Sequence, residues 1–180
     1  MDVRTAAFDA VAAKMTESVQ RLAPLHQAIL RKANANGMSG GVVVELVDEY
    51  KKRMTQLGDY CVEQYEWEAK HAIGFRSKRY EEWRGVTVDS LRTFATACLA
   101  EYTASTRNIA VLNSHGVFEA FKSRLNSAEE EVRISATTLL QKKAAEVNSS
   151  TVRGGLDLLK KGALAGGSAV AGYLWHKYFG

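Results

Sequence analysis

At 180 residues, with 24% charged and 46% hydrophobic residues, the chain has the make-up of a folded globular protein, not of a disordered or fibrous one. A single proline argues against an all-β or loop-rich scaffold, and two distant cysteines, Cys61 and Cys98, exclude a disulfide framework or a cysteine zinc site. The net charge of +4 and pI near 9.1 suit an anionic partner without requiring one.

The N-terminal stretch MDVRTAAFDAVAAKMTESV carries Asp2, Asp9 and Glu17 and no uninterrupted apolar run, so it fits neither a secretory signal nor a transit peptide. A cytoplasmic protein is expected. Phe8, Val11, Met15, Val19 and Leu22 step by three and four among good helix formers, which predicts a first helix to about Ala23. Pro24 then kinks that helix or opens a second one at its first turn, where a missing N–H costs nothing, and Leu25, Ala28, Ile29 and Ala33 continue the apolar stripe. Asn36-Gly37 closes it, with Gly37 placed as a C-terminal cap.

Val43, Val47, Tyr50, Met54, Leu57 and Cys61 alternate steps of four and three, a heptad seam that outweighs the strand propensity of VVVELV at 42–47. This third helix is predicted to continue through Gly74 toward Trp83 and to break at Gly85. Thr87 would cap a fourth helix carrying Val88, Leu91, Ala95, Cys98, Tyr102 and Ile109. After a turn at Asn113-Ser114-His115-Gly116, heptad spacing resumes at Phe118, Phe121, Leu125, Ala128, Val132, Ser135 and Leu139, with a capping-box pair, Ser127 and Glu130, that would allow a fresh start. Asn148-Ser149-Ser150-Thr151 ends the stretch. The expected architecture is all-α: an antiparallel bundle of four to five long helices over residues 1–151, followed by a glycine-rich apolar C-terminal helix over 152–180.

Common phosphate, dinucleotide and metal motifs are absent, and neither a catalytic residue nor a cofactor is predicted. Glu68-Ala69-Lys70-His71 has E-x-x-H spacing, but a di-iron site needs a second such pair, and none precedes His26, His115 or His176. A surface Glu–His pair is the reading adopted. The segment 70–84 gathers Lys70, Arg76, Lys78, Arg79 and Arg84 among Phe75, Tyr80 and Trp83. Cations neutralise phosphates and aromatic rings stack on unpaired bases, so these five cations form a candidate site for an anionic partner, nucleic acid included. Glu81 and Glu82 interrupt it, and cationic stems covering apolar surface would explain the same composition.

The most distinctive stretch is GALAGGSAVAGYLW, residues 162–175, between Lys160-Lys161 and His176-Lys177. As a helix it would be about 21 Å long against a hydrocarbon core of about 30 Å, too short to span comfortably. Gly155, Gly162, Gly166, Ala169 and Tyr173 fall on nearly one face, with a G-x-x-x-G pair at 162 and 166. Each glycine costs a solvated helix about 1 kcal/mol relative to alanine, so something must cover this face: the protein's own bundle, a lipid interface or membrane-inserted assembly, or a second copy of the chain. Arg153, Lys160, Lys161 and Lys177 against Asp157 give residues 152–180 a net charge of +3, and Tyr173, Trp175 and Lys177 have the aromatic and cationic character of an interfacial anchor.

The function expected from the sequence is therefore that of a non-enzymatic helical assembly or scaffold protein. Its C-terminal segment would dock on a membrane interface or on another subunit, with a protein partner or homo-oligomer expected and an anionic membrane surface as the other cover. The alternative is a helical nucleic-acid-associated or particle structural protein that uses segment 70–84.

Overall fold

The computed structural model describes residues 2–35, 41–72 and 79–164, with side chains to 149. Among these residues the chain is all-helical with no strand: α1 (Val3–Gln20), α2 (Leu22–Ala35), α3 (Gly41–His71), α4 (Arg79–Thr106) and α5 (His115–Leu164). It divides into two compact units, Met1–Gln141 and Lys142–Gly180.

In the first unit Asp2 caps α1 by accepting from the Arg4 amide, and the helix ends at Gln20 with Arg21 as its C-cap, three residues earlier than the stripe predicts. Pro24 falls in the first turn of α2, where its missing N–H is one of the orphan donors. The face α2 buries is rotated from the predicted one: Leu22, His26 and Ile29 are inside, while Ala28 is exposed and Leu25 and Ala33 are half-buried. These three step by four and three, so the helix uses a histidine where an apolar count skips it.

The α3 seam is buried along its whole predicted length, from Val43 to Cys61, and Val42–Val47 is helical. The seam then continues through Tyr65 to Glu68. Helix α3 stops at His71 instead of running to Trp83, and a distance explains why. On one continuous helix Tyr65 and Trp83 would lie about 27 Å apart. Their ring centroids are 6.3 Å apart, because α4 packs back on α3 and carries Trp83 into the core. Gly85, predicted to break a helix, lies inside α4 at an outward position where a Cβ would meet nothing within 4 Å. An exposed glycine there costs helix stability, about 1 kcal/mol, without ending the helix. Thr87 is no cap: it is fully buried, and its Oγ1 donates to the Trp83 carbonyl at 2.8 Å.

Helix α5 completes the core. Phe121 stacks on Tyr102 at 3.8 Å and meets Tyr50 edge-on at 6.2 Å, while Lys51 pairs with Glu131 at 2.7 Å. A Cβ on Gly58 would lie 3.0 Å from the Ala136 Cβ, so glycine is what allows α3 and α5 to approach this closely. The buried row of α5 in this unit is Phe121, Leu125, Ala128, Val132, Ala136 and Leu140, one residue out of phase with the predicted Ser135 and Leu139. Successive steps of four give this row a longer period than a strict heptad has. Ser127 starts no new helix; its hydroxyl donates to the Ser123 carbonyl. Cys61 and Cys98 are free and buried.

In the second unit α5 passes through Asn148–Thr151, where an end is predicted, and through Gly154-Gly155 to Leu164. Lys143 pairs with Glu146 one turn on. Among the described residues no helix is long and apolar enough to cross a membrane.

Candidate functional site

The two sequence-predicted sites fare differently in what can be described of them. Lys160, Lys161 and Gly162 lie on α5, which extends to Leu164. Gly166, Ala169, Tyr173, Trp175 and Lys177 lie outside the described residues.

In the basic–aromatic segment, Arg76, Lys78 and Phe75 also lie outside the described residues. Lys70 is exposed in the last turn of α3, and Arg79 and Arg84 occupy the start of α4. Arg79 pairs with Glu82 at 3.1 Å and reaches Glu68 at 3.8 Å, while Arg84 pairs with Glu81 at 3.3 Å. Glu82 is shared with Arg4 of α1, at 3.0 Å, and the Arg4 guanidinium lies over the Phe8 ring. The acidic residues that interrupt the segment in sequence thus hold Arg79 and Arg84 in space. Trp83 departs from the stacking reading altogether, because it is fully buried against Phe8 and Tyr65. A ring enclosed in the core cannot stack on a base.

What the structure brings together instead is a buried polar cluster at this end of the unit. Glu68 is fully buried, not a surface partner of His71. Its Oε2 accepts a 2.5 Å hydrogen bond from the Trp83 indole N–H, while Oε1 has no hydrogen-bond partner and lies 3.8 Å from Arg79 Nε. Tyr65 lies alongside, and burial, followed by the charge of Glu68, pushes its phenol up to about 12. His71 is exposed, its ring lies tilted 5.0 Å from the Trp67 ring, and its Nδ1 is 2.7 Å from the Trp67 carbonyl. The two halves of the E-x-x-H pattern therefore share no site, and the described residues hold no group of three or more His, Cys, Asp or Glu side chains arranged to bind a metal.

A second buried ionisable group, missed in the sequence, lies in the aromatic core. His26 is fully buried, stacked on Tyr50 at 5.5 Å and met edge-on by Tyr102 at 6.3 Å. Neither ring nitrogen has a hydrogen-bond partner, and nor does the Tyr50 hydroxyl. The Tyr102 hydroxyl is satisfied, donating to the Leu112 carbonyl at 2.9 Å. Burial lowers the His26 imidazole to about 4, against a weaker upward pull from Glu101. The signal for both groups was seam position: His26 sits between Leu22 and Ile29, and Glu68 lies one heptad past Cys61.

The thiols are chemically quiet. Burial pushes Cys61 up to about 11 despite hydrogen bonding with Thr87 and Ser90, and pushes Cys98 up as well. A cleft of about 100 Å³ between α3 and α5 is lined by Lys51, Thr55, Asp59 and Glu131 and bridged by the Lys51–Glu131 pair. Comparison with protein-family models, with curated proteins and with solved structures finds no match to this chain.

Proposed function

We propose that this protein is a non-enzymatic helical assembly protein of the cytoplasm, peripheral to a membrane or to a larger assembly. It docks there through its C-terminal segment. The observation that carries the reading is the sequence spacing of Gly155, Gly162, Gly166 and Ala169, which a helix would gather on one face, flanked by Lys160, Lys161 and Lys177. In this reading the helices of the first unit form an antiparallel bundle, and the tail extends α5 as a glycine zipper that a lipid interface or a second subunit covers. Support comes from the continuity of α5 past Asn148–Thr151, which puts Lys160, Lys161 and Gly162 on one helix.

The nucleic-acid reading of segment 70–84 has less support, since Arg79 and Arg84 are paired and Trp83 is buried. The test crosses two variants of the full chain with two measurements, flotation on anionic vesicles and thermal melting with oligomer mass. If lipid is the cover, Lys160→Glu/Lys161→Glu abolishes flotation and leaves the melt unchanged, since each cation contributes about 1 kcal/mol near an anionic surface. If a second subunit is the cover, Gly166→Leu lowers the oligomer mass and the melting temperature, because a large side chain separates two close backbones. A wild-type monomer that neither floats nor loses stability in Gly166→Leu overturns both forms of the proposal.

A further inference from the structure

Unpartnered buried imidazoles are uncommon, because a polar ring taken out of water without hydrogen bonds lowers stability unless something else is gained. His26 is such a ring, and its helix is the shortest described, 14 residues with three buried side chains, Leu22, His26 and Ile29. Three further apolar side chains of α2, Leu25, Leu30 and Ala33, pack against the core while only half-buried.

Among the groups around the ring, only the Glu101 carboxylate favours a buried proton, and its pull is weaker than the cost of burial. From α3 the titratable neighbour is Tyr50, with Arg53 one turn on near Cys98. From α4 come Tyr102 and Glu101; the Glu101 carboxylate already accepts from the Ser105 hydroxyl at 2.6 Å. Helix α1, the other helix packed on α2, carries Lys14 and Glu17, paired with each other at 3.1 Å, and Phe121 of α5 brings no charge. We propose that His26 makes α2 an acid-released element: mild acid detaches this helix from α3 and α4 because the imidazole takes up a proton only after leaving the core.

The direction follows from linkage. The imidazole titrates at about 4 when buried and near 6.5 when released, so the released state binds more protons across that interval and stability falls as pH falls through it. Above about pH 7 both states are neutral and the effect vanishes; below about pH 4 both are protonated and it levels off.

Hydrogen exchange on the full chain at pH 7 and pH 5, corrected for intrinsic rates, tests this. Protection of the amides from Leu25 to Leu30 is expected to fall about 20-fold on acidification, more than that of Tyr50 to Leu57 in α3, and His26→Leu is expected to abolish the difference. Equal protection at the two pH values, an equal fall in both segments, or the same fall in His26→Leu overturns the proposal. Should His26→Leu fail to fold, the wild-type imidazole decides by NMR, its signal assigned against His71→Gln, His115→Gln and His176→Gln. A His26 resonance that does not move between pH 7 and 5.5 supports the proposal, whereas a folded-state midpoint near 6.5 overturns it.

Discussion

Glu68 and His26 lie equally deep in the same unit, each with no exposed surface, and differ in what meets their polar atoms. The carboxylate has an indole donor at 2.5 Å and an arginine within 3.8 Å, both from α4. The imidazole has two aromatic rings and no donor or acceptor. A carboxyl group taken out of water needs polar partners, while an imidazole that can shed its charge near neutral pH can be buried by doing so. Glu68 therefore joins helices by polar contacts that are lost together, and His26 contributes volume and a pH dependence.

Four substitutions break or sharpen this contrast. Trp83→Ala has the largest expected effect, about 3–5 kcal/mol by chemical denaturation, because it empties a core site and leaves the Glu68 carboxylate without its donor. Glu68→Leu is expected to cost about 1–3 kcal/mol in the same assay, the penalty of a buried indole N–H left unsatisfied. A wild-type unfolding curve for Glu68→Leu would mean that the hydrogen bond contributes nothing. His26→Leu should go the other way, stabilising by up to about 1 kcal/mol at pH 7 because two unpartnered nitrogens disappear from the core, and gaining more at pH 5. A loss of stability for His26→Leu at pH 7 would show that the ring is satisfied after all. Arg79→Ala should be the mildest, under about 1 kcal/mol, since its ion pairs are partly exposed to water.

The two groups also mark where sequence reasoning stops. The seam from Val43 to Cys61 was legible because apolar residues announce their own burial through period. Carrying the same period one heptad further lands on Glu68, and beginning it at Leu22 lands on His26, yet a hydrophobicity count discards both residues by type. Trp83 was misplaced for a related reason. Its neighbours Arg79 and Arg84 gave the segment a basic, solvent-facing look, and only the packing of α4 on α3 turns the indole inward. Local propensity predicted Gly85 as a helix end, but an exposed glycine is a cost that a helix packed along its other face absorbs. In α5 the heptad extrapolation slipped by one residue at Ala136, opposite the close approach at Gly58, a contact between distant segments that no local pattern encodes.

Cys61 on α3 and Cys98 on α4 are the only thiols in the sequence, and both are sealed in the first unit. The chain thus carries its own clock for core opening. A thiol that is both enclosed and held above its ordinary titration range reacts with an alkylating reagent only as fast as the helices part. Pulse alkylation followed by intact mass would time the exposure of each cysteine without any added label. The tail contains no cysteine, so events at Lys160 to Lys177 would enter that record only if they change how often the core opens.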